Sequence, residues 1–380
     1  MAGFSNIKSV IDAELNGQVR NFQFRKNPTQ ATTAGIWFDF ANSAGNPKAK
    51  QWFDAAPLTQ SRIAQSSDLG LYHGANCSPL QKHLRKVTIW NPTVTALPMQ
   101  LLLLDYLTYY PTFDDSETAV QTTIDTPSSS CAFTVDYTTN TLTYTTLGTS
   151  IPANLLTSTT VIVSLISGTL PLGLTDATTY YLIKVSETTF KLASSIANAN
   201  NNIPVIIKNN GSGVFNLKWG LPRYTDGKGV QMIAVTTGAR VGGQTFTVSY
   251  TNSDGVAGRT SGLLLQNTSS VLGTVTNSAL TVGQNTAGPY ISLQTGDTGV
   301  RSVESVTMNG VDTGFFTIVL VKPIAETQIK GIDSPVEKDF LLHSLELPRI
   351  YDDAFLGFLG LPNGTLATAV ITGELKVIWN

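Results

Sequence analysis

Ser167-Gly168-Thr169-Leu170-Pro171-Leu172-Gly173-Leu174, followed by Tyr180-Tyr181-Leu182-Ile183 and Phe190-Lys191-Leu192-Ala193, is the stretch from which the fold is read. It lies within Ser150–Trp219, a nearly uncharged, Thr-rich segment of short alternating runs. Val161, Val163 and Leu165 alternate; so do Tyr180 and Leu182, with Tyr181 and Ile183 on the opposite face, and then Phe190 and Leu192. A period of two bounded by Gly, Pro, Asp and Asn marks short antiparallel strands. The stretch is mid-chain, and the halves on either side read as one domain that it interrupts.

The composition agrees. Charged residues make up 13% of the 380-residue chain, about half the usual share of roughly 25%. With 32 Gly and 17 Pro, this is the profile of an all-β protein rich in turns. Disorder is excluded, because 42% of residues are hydrophobic and can bury a core. A net charge of −2 from 24 basic and 26 acidic residues gives no footprint for nucleic acid, which needs a concentrated positive patch. Cys77 and Cys131 fall in different predicted domains and are expected to be reduced. The start Met1-Ala2-Gly3-Phe4-Ser5-Asn6 has no basic region followed by an apolar core, so no secretory signal is expected. The most apolar run, Leu97–Tyr110, is too short for a membrane helix and carries Asp105. Synthesis in a cytoplasm and no membrane contact are the resulting expectations.

Along the chain, Ser5 is a cap for a short helix with Ile7, Val10, Ile11 and Leu15 on one face and Gly17 at its stop. Val19–Phe24 alternates as a strand, and residues 28–80 are irregular apart from the aromatic group Trp37-Phe38-Asp39-Phe40. Residues 1–80 are thus expected to form an arm or long loop. Lys86–Trp90, Met99–Tyr110, Val230–Thr236, Gln244–Tyr250, Val300–Val306, Gly314–Val321 and Ala369–Trp379 read as strands, with a hairpin turn at Asn252-Ser253-Asp254-Gly255. Met99–Tyr110 lacks alternation, as a strand buried on both faces does. One helix is predicted over 335–346, because Ser334-Pro335-Val336-Glu337 has the order of a capping box and Phe340, Leu341 and Leu345 form an apolar face. Leu221-Pro222-Arg223-Tyr224 and Leu347-Pro348-Arg349-Ile350 echo one another, an echo short enough for chance.

Chemistry is sparse. The three histidines, His73, His83 and His343, have no metal-ligand spacing, and neither a Gly-x-Ser-x-Gly elbow nor a phosphate-binding glycine loop occurs. Asp114, Asp115 and Glu117, and Asp352 with Asp353, are the candidate acid pairs. Neighbouring carboxylates on turns are read as solvated loop charges rather than a glycosidase pair; a calcium site on such loops is the alternative. Asp254 belongs to the hairpin. The aromatics are read as core and interface anchors, with a sugar-binding face as the other possibility. No catalytic, cofactor or metal residue is assigned, and no enzyme activity is expected.

From Ser167-Gly-Thr-Leu-Pro-Leu-Gly-Leu-Thr-Asp-Ala-Thr-Thr-Tyr-Tyr-Leu-Ile-Lys-Val, through Thr188-Thr-Phe-Lys-Leu-Ala-Ser-Ser, to Gly211-Ser-Gly, the mid-chain segment resembles an immunoglobulin-like β-sandwich of tailed-bacteriophage virion proteins. The flanks, at Leu221–Val235, Phe246–Thr260, Gly296–Val306 and Leu347-Pro-Arg-Ile, resemble phage virion proteins in which such a module is inserted. The resemblance implies a discontinuous β-sandwich or jelly-roll-like domain over 1–120 plus 219–380, with an inserted immunoglobulin-like domain at 121–218. It implies a head decoration or stabilising protein, a homo-oligomer bound to the major capsid protein or other virion proteins. A tail, collar or baseplate component, and a protein whose module touches glycans or a host receptor, are the alternatives.

Overall fold

The computed structural model describes residues 4, 6–49, 61–123, 133–144, 157, 160–186, 188–265, 269–276, 288–332, 334–344 and 346–380. The expected Ser5 cap, Cys131 and Leu345 lie outside them. The protein is mostly β, with 47% strand against 8% helix, as the composition required. No described helix is long and apolar enough to cross a membrane.

Helix α1 (Ile7–Leu15) precedes strands β1 (Val19–Asn27), β2 (Lys82–Trp90) and β3 (Met99–Tyr109). The mid-chain module contributes β4 (Phe133–Asp136), β5 (Thr141–Tyr144), β6 (Thr160–Thr169), β7 (Thr178–Lys184), β8 (Thr189–Ala193), α2 (Ile196–Asn200) and β9 (Ser212–Trp219). The chain then returns with β10 (Gln231–Val241), β11 (Thr245–Asn252), β12 (Val300–Met308) and β13 (Thr313–Ile329). It closes with β14 (Val336–Asp339), α3 (Phe340–His343), β15 (Phe355–Pro362) and β16 (Ile371–Trp379).

One central sheet organises the flanking halves, in the order β10-β13-β3-β15, with short strands Ser269–Ser270 and Phe38–Asp39 at its ends. Side chains alternate across a strand, and β3 shows what that does here. Leu102, Leu104 and Tyr106 enter the core on one face, together with Ile233, Val235, Val319 and Phe355. On the other face, Met99, Leu101 and Leu103 join a core closed by Leu84, Val87 and Ile89 of β2 and Leu375 and Val377 of β16. Further along that same face, Leu107 joins a different core, with Phe246, Val248 and Tyr250 of β11 and Val303 and Val306 of β12. Two sheets, β14-β2-β16-β1 and β11-β12, therefore lie side by side on one face of the shared central sheet. Asp105 falls at the seam, between Leu103 of one core and Leu107 of the other. Its burial is complete.

Strand β16 is held between β1 and β2, with Phe24 opposite Gly373 on one side and Ile89 on the other. A Cβ at Gly373 would lie 2.4 Å from the Thr88 carbonyl oxygen and 2.5 Å from Phe24 Cζ. Gly373→Ala is therefore expected to cost about 1–3 kcal/mol by overpacking, measured as a lower midpoint in urea with an unchanged slope.

The module's strands form one sheet in the order β9-β6-β7-β8-β5-β4, a nearly closed six-strand barrel where two facing sheets were expected. The alternation read from sequence places Val161, Val163, Tyr180, Leu182, Phe190 and Leu192 inside. Tyr181 and Ile183 point the other way and pack with Ala193 and Ala199 of α2, a helix the sequence reading missed.

Three further expectations are corrected. Residues 335–346 are not a helix: Val336–Asp339 pairs with Ile89–Lys86 of β2, and a single turn, Phe340–His343, follows with Asp339 as its cap. Pairing with a sheet edge outweighs the local capping signal. The strand read as Gly314–Val321 does not stop there, because a register shift between Pro323 and Ala325 lets β13 continue to Ile329; a bulge accommodates a residue without an amide hydrogen. The described part of residues 1–80, read as an irregular arm, is packed into the domain. Helix α1, capped by Asn6, lays Val10 and Ala13 on Ile378, β1 pairs along the whole of β16, and Trp37, Phe38 and Phe40 are buried.

Candidate functional site

The acidic residues singled out in the sequence are engaged by basic partners or by the backbone. Asp115 is fully buried and makes a two-pronged pair with Arg240, Nε to Oδ2 at 2.6 Å and Nη2 to Oδ1 at 2.7 Å. Arg240 lies with its guanidinium carbon 4.2 Å from the Phe316 ring centre, and burial pushes its pKa down from the ordinary arginine value. Asp114 accepts from Ser116 N and Oγ, closing a turn; Glu117 accepts from Ala119 N. Asp352 accepts from Lys82 at 2.9 Å, and Asn252 rather than Asp254 organises the hairpin, accepting from Asp254 N and Val256 N. Among the described residues no three His, Cys, Asp or Glu side chains converge to hold a metal ion.

The densest polar group is one the sequence reading did not assemble. Arg223 donates to Asp105 from Nε (3.0 Å) and Nη2 (2.8 Å), to the carbonyls of Tyr106 (2.8 Å) and Ala64 (3.1 Å), and to Asp353 through its carbonyl (3.1 Å) and carboxylate (3.0 Å). Phe355 N donates to Asp105 as well. Burial alone would push the Arg223 pKa down, but Asp105 and Asp353 beside it raise it above the ordinary value, so the guanidinium stays charged. The next residue, Tyr224, adopts a left-handed φ of 52°, and its ring meets Tyr351 edge to face at 5.0 Å. The two Leu-Pro-Arg segments that echo one another in sequence thus touch through their tyrosines.

Beside this group, His73 is buried, with Nε2 2.9 Å from the Ala354 carbonyl and Nδ1 3.3 Å from Lys82 Nζ. Since Nδ1 accepts from the ammonium, Nε2 carries the proton and donates. Burial, then the Lys82 charge, depress the His73 pKa to about 4. Cys77, partly exposed, sits 3.7 Å from Asp352, and burial pushes its thiol up. A protonated thiol is a poor nucleophile.

Position gives this network its meaning. The chain leaves the flanking domain at Thr123, whose Oγ1 donates to Val303 O at 2.6 Å and whose amide donates to Glu304 O at 2.8 Å. It returns after Trp219 and reaches Arg223. Both stems of the module are thereby fastened, one to β12 and the other to the seam at Asp105. Ile63, on a short strand paired with β3, belongs to the module's own apolar core. From Trp219 to Ser212, β9 runs about 23 Å away from this base, and around its far end Tyr137, Ile166, Leu172, Ile206 and Val214 are exposed. A second exposed apolar set, Ile7, Ile11 and Leu15, lies along the outer face of α1.

Among the described residues, Arg223 thus ties the segment after the module to Asp105, Asp353 and the carbonyls of Ala64 and Tyr106. Compared with protein-family models, with curated proteins and with solved structures, the chain gives no match.

Proposed function

We propose that this chain is a non-enzymatic structural protein of a tailed-bacteriophage virion, bound to the major capsid protein as a head decoration or stabilising protein and acting as a homo-oligomer. On this reading the flanking sheets are a jelly-roll-like domain and the inserted barrel is an immunoglobulin-like unit of the phage type. The carrying observation is that exposed apolar residues lie at the module's far end and on α1, while the acidic residues singled out in the sequence are engaged by basic side chains or by local turn groups. Attachment then comes from many modest apolar contacts repeated by symmetry, which sum to durable binding. The sequence resemblance of residues 167–213 supplies the setting.

A particle reconstruction that locates the chain tests this directly. Hundreds of copies over the head are expected; copies in multiples of six or three at the neck or baseplate would instead assign it to the tail. For the reading in which the module contacts glycans or a receptor, the observation is the exposed far end. Deleting residues 124–218 leaves the anchors Thr123 and Arg223 in place, so particles should still assemble and adsorb; loss of adsorption alone would move the function to the module.

A further inference from the structure

We infer that a second copy of this chain pairs edge to edge with β13 over residues 326–330, joining two central sheets across a twofold axis. The 17-residue strand β13 is paired on one side by β3 along its later half, from Val319 to Ile329. On its other side β10 covers it only as far as Val321, and Lys322 reaches back to the Lys228 carbonyl. Beyond Pro323, no backbone partner is present on that side among the described residues. Among the described residues, strand β14, the edge of the overlying sheet, likewise pairs only with β2. Between these two edges lies a cleft of about 490 Å³, lined by Glu326, Thr327, Gln328, Lys330, Val336 and Glu337 among others. Thr327 in that lining is 8% exposed, and its Oγ1 has no hydrogen-bond partner among the described residues.

An open strand edge with an unsatisfied buried hydroxyl is a template for another strand. Charge selects which strand. Glu326, Gln328 and Lys330 are exposed while Thr327 and Ile329 are buried, so the first three share the outer face. Antiparallel pairing of the segment with itself, centred on Gln328, sets Glu326 opposite Lys330 of the second copy and Lys330 opposite its Glu326. The two Gln328 amides meet at the axis, and each Thr327 faces the other copy's Ile329. Such an interface is isologous and closes at two copies. A register centred on Ile324 would also pair Lys322 with Glu326, but it sets Pro323, which has no amide hydrogen, inside the ladder and takes Lys322 from its carbonyl. This interface specifies the homo-oligomer proposed above without depending on a particle, so a chain that stays monomeric would refute the interface and leave the virion reading to its own test.

Sedimentation equilibrium of the purified full chain at several concentrations decides the matter. The wild type is expected to dimerise. Glu326→Lys or Lys330→Glu alone places like charges opposite each other twice, and dimerisation should weaken about tenfold or more. The double variant Glu326→Lys/Lys330→Glu restores opposite charges and should return the association to near the wild-type value. Both side chains are exposed, and unchanged thermal unfolding of the variants would confirm that the fold is intact. A monomeric wild type, or a dimer indifferent to all three variants, would overturn the inference.

Discussion

Arg223→Met is expected to destabilise the flanking domain by about 3–5 kcal/mol, the usual cost of leaving one partner of a buried ion pair alone. The side chain is 1% exposed and its partner Asp105 0%, so solvent cannot replace what is lost. Removing the guanidinium strands the Asp105 carboxylate and also the carbonyls of Ala64, Tyr106 and Asp353. Asp105→Leu should cost a comparable amount by leaving the guanidinium undercompensated. Asp353→Asn is the control: that carboxylate is 48% exposed, and its loss should stay within about 1 kcal/mol. In Arg223→Met/Asp105→Leu no buried charge remains, and most of the single-variant loss should return. Urea unfolding of the four variants measures the cycle. A loss below about 1 kcal/mol for Arg223→Met, or a double variant as weak as the two losses added, would show that Asp105 and Arg223 do not act as a pair.

A domain stable by about 5–15 kcal/mol has little margin for such a loss, and the location decides which part opens first. Arg223 follows closely on the last module strand, and the segments it joins come from three places in the chain: the Ala64 region, β3 and the turn at Asp353. Opening there would release the module's exit stem while the entry stem at Thr123 stays bound to β12. Limited proteolysis of Arg223→Met should therefore cut first between Trp219 and Tyr224.

Much of this framework was legible in the residues. Period-two alternation identified β6, β7 and β8 and their inward faces, and the unbroken apolar run from Met99 correctly meant a strand buried on both sides. The pairing of β1 with β16 was not legible, because an alternating strand carries no address for its partner. Strand β14 was misread for a related reason: Ser334-Pro335-Val336-Glu337 is a sound local helix start, and what overrides it is the open edge of β2 far away in sequence, with Lys86 Nζ set 2.7 Å from Glu337 Oε1. The seam has one sequence signal, a lone aspartate, Asp105, inside a run of leucines. A charge in such a place needs a buried counter-charge, and the Leu-Pro-Arg segment after the module supplied it. The acid pairs were weighed as pairs of neighbours, whereas each carboxylate finds its partner across the fold.

Two buried titrating groups make opposite contributions to stability on acidification, and separating them is the second large effect. His73 has a folded pKa of about 4 against 6.5 unfolded. Between those values the unfolded chain binds the proton and the folded one does not, so stability falls as pH drops from 6.5 to 4, by about 3 kcal/mol in all. Asp39 is buried, accepts from Tyr106 Oη at 2.8 Å and from Ala41 N at 2.8 Å, and is pushed up by burial to about 6 from 3.8. Here the folded state takes the proton first, so stability rises as pH drops from 6 to 4, again by about 3 kcal/mol. In the wild type the two slopes nearly cancel. Asp39→Asn keeps the hydrogen bonds and removes the opposing slope, so relative to wild type it should lose about 3 kcal/mol between pH 6 and pH 4. His73→Gln removes the other slope and should gain by a similar amount over the same interval. Urea midpoints at pH 7, 6, 5 and 4 give the difference curves. Curves parallel to wild type for His73→Gln would mean that His73 is not held neutral by its cage of Lys82 and the Ala354 carbonyl, and parallel curves for Asp39→Asn would mean that Asp39 ionises as an ordinary carboxylate despite its burial.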